Sequence, residues 1–312
     1  MKIKYIVLSC LLLLTSCQKS DSSLNIVCPT GAPSVAFYNY SDNEHFTTNG
    51  KPDNIVAMMT KRSTKNIVVI DTVSGIEAIN NGAPYKIAST ITFGNFYIAS
   101  TGNDDNNTLD PSDTIVLFGK EKTPDLIFHY LYGNDYDNSI EYVDNVQDAS
   151  KCLASGKNLI TGHSVDYVFI AQPALFSVLN NQEALTYGKS SVYVNIQDAY
   201  KEKTNNLELM QASVFVKNGS DKTLVHEFLS SLESDISQAI SNPNLVVEGM
   251  SKISDEEAEL LYGIKKNAAK QVLSNNNSLG LGYKSAYQHK DAIDNYISLF
   301  GLGETNEEIY YI

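Results

Sequence analysis

The chain has 312 residues, enough for one large domain or two of medium size, and a formal net charge of -13. This acidity argues against a nucleic-acid-binding protein and against electrostatic adhesion to anionic lipid, because both need a basic surface. The hydrophobic share of 43% and the charged share of 19% are ordinary for a folded globular protein.

Residues 1–16 have the features of an export signal. Two lysines precede the apolar run Tyr5–Leu14, which is too short to cross a membrane as an ordinary helix. Leu14-Thr15-Ser16-Cys17 then matches the bacterial lipoprotein signal, in which the cysteine becomes the acylated N-terminus. We therefore predict a signal peptide over 1–16, a lipid attached to Cys17 and a polar tether over 17–23. The alternative is a plain secretory signal with an incidental cysteine.

These features predict an exported protein that is anchored by lipid to the outer face of a bacterial membrane, at the cell membrane or facing a periplasm. No other apolar run approaches membrane-spanning length. The membrane contact is therefore expected through the lipid alone.

The first part of the mature chain is predicted to alternate strands with helices. Short apolar or β-branched runs predict strands, and apolar residues at helical spacing predict helices. The predicted strands are Leu24–Val27, His45–Thr48, Asn66–Ile70, Lys86–Thr92 and Asn95–Ser100, with a helix after each of the first three. This order is typical of a parallel sheet with crossover helices.

The polar segment Thr101–Ser112 is the strongest break in composition, and the strand–helix order restarts after it. Further strands are predicted at Thr114–Phe118, Ser139–Val143, Val165–Ile170, Tyr193–Ile196 and Leu209–Val216, and helices from Asp221 onward. The predicted fold class is α/β with two lobes, mixed but mostly parallel sheets and flanking helices. Lobe 1 is expected over 24–104 plus 206–312, and lobe 2 over 105–205.

A ligand site is expected in the cleft between the lobes, at the C-terminal ends of the parallel strands. Two strand–loop–helix junctions, 26–34 and 115–125, are predicted to face each other there. The residues expected to contact the ligand are Thr30, Gly31, Ser34, Thr72, Ser74, Phe93, Gly94, Asn95, Gly119, Thr123, Asp125, Gln172 and Gln211. For several of them the alternative is a structural role, since Ser34 could fix a turn and Thr123 and Asp125 could cap their own helix.

The residue types disfavour several kinds of site. Arg62 is the only arginine and lies in a polar turn, which disfavours an amino-acid ligand because its carboxylate is usually held by a bidentate arginine. Cys28 and Cys152 are predicted to be inert core residues, and no Cys/His cluster has zinc spacing, so we predict no metal site and no cofactor. The five histidines have no adjacent partners and no catalytic motif is present, so we predict no enzymatic activity.

A set of short segments runs in one order along nearly the whole mature chain. They are the lipoprotein motif, Pro29-Thr30-Gly31-Ala32-Pro33, Asn81-Gly82-Ala83-Pro84-Tyr85-Lys86, Phe93-Gly94-Asn95-Phe96-Tyr97, Gly119 with Thr123-Pro124-Asp125, Gln172-Pro173, Gln211-Ala212-Ser213-Val214-Phe215-Val216-Lys217 and Tyr310-Tyr311. Together they resemble the substrate-binding lipoproteins of bacterial ABC transporters, in the branch that includes proteins for aliphatic sulfonates, nitrate and thiamine-precursor pyrimidines.

The resemblance implies a type 2 periplasmic-binding fold, whose lobes close by a hinge motion on a small-molecule ligand. It implies delivery of the ligand to a membrane permease driven by an ATPase, and we expect a monomer. Two sites depart from the usual pattern: Asp71-Thr72-Val73-Ser74, where relatives tend to have Ala, Pro, Thr or Asn-type residues, and Gln172, where they tend to have an acidic residue.

We expect the ligand to be small and polar, and either aromatic or anionic. Two other functions stay open from the sequence. One is an enzyme on the same two-lobed fold, and the other is a surface lipoprotein that senses a ligand without serving a transporter.

Overall fold

The computed structural model describes residues 23–103, 108–181, 190–303 and 305–312. The predicted signal peptide, the predicted lipid-attachment residue Cys17 and the tether up to residue 22 lie outside these ranges. Within them, no helix combines the length and the apolar character needed to cross a bilayer.

Two mixed sheets form the framework of the described chain. The strands are β1 (Ile26–Pro29), β2 (Phe46–Asn49), β3 (Ile67–Asp71), β4 (Tyr85–Phe93), β5 (Phe96–Ser100), β6 (Ile115–Phe118), β7 (Ile140–Val143), β8 (Tyr167–Ala171), β9 (Ser191–Asn195), β10 (Met210–Lys217) and β11 (Leu281–Ser285). The first sheet has the order β11-β4-β10-β3-β1-β2, and the second has the order β7-β6-β8-β5-β9. In the first sheet, β1 pairs parallel with β2 and β3, and β10, which comes from the second sheet, pairs antiparallel with β3 and β4. In the second sheet, β6 pairs parallel with β7 and β8, and β5, which comes from the first sheet, pairs antiparallel with β8 and β9.

Helices cover the faces of both sheets. They are α1 (Ala32–Val35), α2 (Pro52–Ala57), α3 (Thr72–Asn80), α4 (Thr123–Tyr132), α5 (Val146–Ser155), α6 (Ala174–Asn180), α7 (Ile196–Lys203), α8 (Lys222–Ser241), α9 (Asn244–Gly249), α10 (Asp255–Tyr262), α11 (Lys266–Ser274) and α12 (Lys290–Ser298). The continuous β-branched run in β3 is explained by this cover, because Ile67 and Val69 pack into one core cluster and Val68 and Ile70 into another.

The chain crosses from the first sheet to the second earlier than the predicted boundary at residue 104. The crossing lies at Gly94 and Asn95, between β4 and β5, and β5 pairs antiparallel with β8 and β9. Gly94 has a φ of 53°, a left-handed conformation that glycine adopts at little cost and that turns the chain here. The composition break at Thr101–Ser112, of which 104–107 lie outside the described residues, therefore follows the crossing. The return lies between α7 and β10.

The sequence does not predict helix α7 or strand β11. Helix α7 begins at Ile196, where Asn195 accepts a hydrogen bond from the Gln197 N–H at 3.0 Å and caps it. Strand β11 exists through its antiparallel pairing with β4, in which Leu281 lies opposite Thr92. Strand β11 therefore depends on a partner that lies far away in the sequence.

A chain of three buried hydroxyl groups joins β4, β10 and the start of α3. The Ser213 Oγ lies 2.8 Å from the Thr72 Oγ1 and 2.9 Å from the Thr90 Oγ1, and all three residues are buried. Thr72, which we predicted to contact a ligand, is fully enclosed and bonds within the protein interior instead. The Thr72 hydroxyl forms a hydrogen bond with the Ser213 hydroxyl, since a buried polar group without a partner would destabilise the fold.

We expect Ser213→Ala to lower the free energy of unfolding by about 1–3 kcal/mol, because the Thr72 hydroxyl would lose the partner it has in the interior. Urea denaturation followed by circular dichroism measures this change. The matched variant Ser231→Ala, on the exposed face of α8, should change the same quantity by less than about 0.5 kcal/mol. A similarly small effect of both substitutions would contradict the role given to the hydroxyl chain.

Candidate functional site

A cleft of about 730 Å³ lies between the two sheets and is called the inter-lobe cleft below. Its wall contains the C-terminal residue of every strand in the two parallel halves. These residues are Pro29, Asn49, Asp71, Phe118, Val143 and Ala171. The volume is in the range of small-molecule sites in proteins, and the carboxyl ends of parallel strands are where such sites form.

The structure brings most of the predicted site residues to this cleft. Those in its wall are Thr30, Gly31, Ser74, Asn95, Gly119, Thr123, Gln172 and Gln211. Ser34, Thr72 and Asp125 are not in the wall and are buried in the surrounding structure. Phe93 and Gly94 line a different cavity of about 460 Å³ beside the crossing strands.

The first loop is shaped by Gly31 and Ser34. Gly31 has a φ of 128°, and the Ser34 hydroxyl donates to the Gly31 carbonyl at 2.7 Å and accepts from the Gly31 N–H at 3.2 Å. Ser34 therefore fixes the turn that presents Thr30 and Gly31 to the cleft. The Thr30 N–H donates to the Asn49 carbonyl at 3.1 Å, which holds the ends of β1 and β2 together.

The second loop, from Gly119 to Asp125, is held by the Asp125 carboxylate. Its Oδ2 accepts from the Glu121 N–H at 2.7 Å, and its Oδ1 accepts from the Tyr142 hydroxyl at 2.8 Å. Asp125 thus orients Tyr142, a cleft residue on β7. Asp125 is only 5% exposed, and it supports the cleft wall through these hydrogen bonds without lining it.

Thr123 is the first residue of α4 and does not cap it, so the structural alternative to a ligand contact does not hold for this residue. The helix is preceded by Lys122, and no side chain of that residue caps it. Thr123 is 3% exposed and belongs to the cleft wall. Its hydroxyl lies beside the Asp71 carboxylate of the other lobe and opposes the rise in the pKa of that group.

Asn95 and Gln211 join the two crossing strands to each other. The Gln211 Oε1 accepts from the Asn95 N–H at 2.8 Å, and the Gln211 Nε2 donates to the Asn95 Oδ1. Beside them, the Gly94 N–H donates to the Leu209 carbonyl at 3.1 Å. A Cβ on Gly94 would lie 2.5 Å from the Gln197 Cβ, so the close approach of this crossing to helix α7 requires glycine.

Asp71 is the most prominent cleft residue that the sequence prediction did not include. It ends β3 and caps α3, since its Oδ1 accepts from the Ser74 N–H at 2.9 Å. Burial raises the pKa of its carboxyl, and the hydrogen bond from Ser74 opposes this shift. Parallel strands end at the ligand site, so a search of strand ends in the sequence would have identified Asp71. The same search would have identified Asn49 and Phe118, which end β2 and β6, and Asp144, which follows β7.

One ion pair connects opposite lips of the cleft within the described residues. The Lys122 Nζ lies 3.5 Å from the Asp53 Oδ1, and the two side chains are 52% and 82% exposed. Such exposed pairs contribute roughly 0.2–1 kcal/mol and are weakened by salt. The pair can bias the approach of the lips, but it is too weak to hold them together.

No protein-family model matches the sequence, and no curated protein is significantly similar to it. Solved structures are similar in fold. An ABC transporter protein from Parabacteroides distasonis is 16% identical and matches over 93% of this chain and 99% of its own, with a TM-score of 0.67.

The periplasmic aliphatic sulphonate binding protein from Escherichia coli is 11% identical over 92% of this chain and 94% of its own, with a TM-score of 0.61. A Candida albicans protein described as exhibiting the generic periplasmic binding protein structural fold is 9% identical over 92% of this chain and 93% of its own, with a TM-score of 0.54. The chain has the periplasmic-binding-protein fold. The predicted α/β fold class is therefore confirmed, and at these identities the likeness concerns the fold alone.

We expect Asp71→Asn to raise the melting temperature at pH 7. Because the folded-state pKa of Asp71 is raised, the wild-type protein loses stability as the pH rises from the ordinary value of about 3.9 through the raised pKa. Asparagine keeps the cap of α3 and carries no charge. Thermal unfolding of both proteins as a function of pH measures the difference, which should disappear below about pH 3.9.

The matched control is Glu233→Gln, on the exposed face of α8. It should leave the melting temperature nearly unchanged at either pH. An Asp71→Asn protein that melts below the wild type at pH 7, or one whose difference is the same at both pH values, would contradict the assigned electrostatics.

Proposed function

We propose that the protein is an extracytoplasmic solute-binding protein that captures a small molecule in the inter-lobe cleft and delivers it to a membrane permease. The observation that carries the proposal is the cleft itself, walled by the ends of parallel strands from two sheets. Each lobe contributes polar groups to it, with Thr30, Gly31 and Ser74 on one side and Gly119, Thr123 and Gln172 on the other. A ligand in this position contacts both lobes and favours their closure.

The similar structures support the same assignment. They include a protein named as an ABC transporter and a periplasmic binding protein for aliphatic sulphonates, which match nearly the whole described chain in fold. We therefore place the protein in an ABC importer, with a permease and an ATPase as its partners. We further propose that it acts as a monomer.

The chemistry of the wall favours capture over catalysis. Among the described residues, the cleft is lined by amides, hydroxyls, carboxylates, two lysine ammonium groups and aromatic rings, and by no histidine or cysteine. Such a wall offers directional hydrogen bonds and apolar contact, which fix a ligand in place. Export and anchoring rest on the sequence of the first residues, with Cys17 as the proposed site of lipid attachment.

A thermal-shift panel tests the binding function. It contains small sulfonates, nitrate, pyrimidines, flavin precursors and amines, with sugars and metal ions as further arms. At a hundredfold excess over Kd, a ligand that binds only the folded state adds about 2.7 kcal/mol of stability, so we expect a rise of several degrees with one class. Stabilisation by none of these compounds would contradict the proposal.

The same ligand separates the proposed function from the alternatives. Mass spectrometry should recover it chemically unchanged after prolonged incubation with the protein, whereas a modified product would indicate an enzyme. Cells that lack the protein should lose high-affinity uptake of the ligand. Uptake that does not depend on the protein would indicate a sensor.

A further inference from the structure

His129 lies in the last turn of α4, outside the wall of the inter-lobe cleft, and oxygen atoms face both nitrogens of its ring. The Nδ1 lies 2.9 Å from the Asp125 backbone carbonyl and 3.0 Å from the Asp125 Oδ1. The Nε2 lies 3.0 Å from the Oδ1 of Asp137, in the turn that precedes β7. A neutral imidazole has a single N–H group, so only the imidazolium can donate to both partners.

The surroundings of the His129 ring favour its protonated form. Burial lowers the pKa of His129, but the hydrogen bonds to Asp125 and Asp137 and the charges of both carboxylates outweigh burial, so the pKa is raised. The position also contributes, because a cation in the last turn of a helix interacts favourably with the helix dipole. The side chain is 25% exposed, so it exchanges protons with the solvent.

Two carboxylates, those of Asp125 and Asp137, are the charged groups that contact the ring among the described residues. From β7, the Tyr142 hydroxyl donates to the same Asp125 oxygen at 2.8 Å. From α7, the Lys203 Nζ donates to two carbonyls in the last turn of α4 and to neither aspartate. In the part of the chain that the structure describes, His129 is therefore the one ion-pair partner of Asp125.

Asp125 connects the His129 ring to the cleft wall. Its Oδ2 accepts from the Glu121 N–H at 2.7 Å, and Glu121 has a φ of 60°, a left-handed conformation that residues other than glycine rarely adopt. The carboxylate thus holds a strained turn between Gly119 and Thr123, both of which line the cleft. It also holds the hydroxyl of Tyr142, which lines the cleft from β7.

We propose that His129 is a positioning residue for the inter-lobe cleft, whose protonated ring fixes Asp125 and, through it, the second loop and Tyr142 in the geometry that binds the solute. Loss of the proton leaves one ring nitrogen without a hydrogen and facing an oxygen, which weakens the hold on Asp125. This inference rests on the proposed solute-binding function and adds a regulation of the same site.

The direction of the pH dependence follows from the raised pKa of His129. A group whose pKa is raised by folding stabilises the folded state fully below its ordinary value, which is about 6.5 for histidine. That contribution is lost as the pH rises through the raised folded-state pKa. Capture of the solute is therefore favoured at mildly acidic pH and weakened at alkaline pH.

NMR spectroscopy of the ligand-free protein tests the positioning role directly. The histidine and tyrosine rings are labelled with carbon-13 and followed between about pH 5 and about pH 9, on both sides of the ordinary histidine value. We expect the His129 ring to titrate with a midpoint above about 6.5 and the Tyr142 ring to shift with the same midpoint. Burial raises the pKa of Tyr142 itself, so its own hydroxyl does not titrate in this range. In His129→Gln the Tyr142 transition should be absent.

Affinity measurements connect this coupling to capture. The probe is the compound that gives the largest shift in the thermal-shift panel, and calorimetry measures its Kd at about pH 5.5 and about pH 8.5. We expect the wild-type affinity to be roughly fivefold weaker at the higher pH. His129→Gln should bind with the weaker affinity at both pH values. His129→Lys, which keeps a cation one helical turn from Asp125, should keep the stronger affinity at both.

The matched control is His163→Gln. His163 also contacts a carboxylate of β7, that of Glu141, but neither residue lines the cleft. Side chains alternate along a strand, so Glu141 and Tyr142 point to opposite faces of β7. The control should keep the wild-type pH dependence of both the Tyr142 signal and the affinity.

The outcomes distinguish this inference from the proposed function. A Tyr142 midpoint that differs from that of the His129 ring, or a Tyr142 transition that persists in His129→Gln, overturns the inference while solute binding stands. The same conclusion follows if His129→Gln keeps the wild-type pH dependence of the affinity. Stabilisation by no compound in the panel overturns the proposed function, and the NMR titration then decides by itself whether His129 is coupled to the cleft wall.

Discussion

The arrangement of the molecule depends on two chain crossings that are held together by buried hydrogen bonds. Asn95 and Gln211 bond to each other through side chain and backbone, and the Gly94 N–H donates to the Leu209 carbonyl at 3.1 Å. Separating these groups would leave buried polar atoms unpaired, at about 1–3 kcal/mol each. We infer that the crossings stay joined while the lobes rotate about them, so that motion changes the width of the cleft and preserves its floor.

The cleft then follows from sheet geometry. Parallel strands that run toward the crossings end in loops on the same side of each sheet, and their polar residues meet there. Side-chain oxygens of Asp71 and Asn145 cap α3 and α5, whereas α4 begins without a side-chain cap and carries Asp125 in its first turn. The cleft wall offers a ligand carboxylate, ammonium, amide, hydroxyl and aromatic groups. Burial in the wall raises the pKa of the Asp71 carboxyl.

The sequence predicts the fold class and the edge of the sheets where the cleft lies, because both depend on local patterns. The β-branched run of β3 indicates a strand by itself, and the residues around Gly31 indicate a strand, a turn and a helix within a short segment. The crossing at Gly94 was placed too late, since the partners of β5 come from distant segments of the chain. Individual roles were harder to predict. Thr72 and Asp125 end or follow strands as ligand residues do, yet each bonds to interior partners that only the folded chain supplies.

The central claim is capture by closure of the lobes, and an inter-lobe distance tests it most directly. Spin labels on cysteines introduced at Lys51 and Gln147, which are exposed near opposite sides of the cleft, would report this distance by double electron–electron resonance. Cys28 and Cys152 are buried, so they should not react with the label. The free protein gives a distribution of inter-label distances. When the compound with the largest thermal shift is bound, we expect one narrow population at the short end of that distribution. An unchanged distribution at saturating ligand would contradict capture by closure.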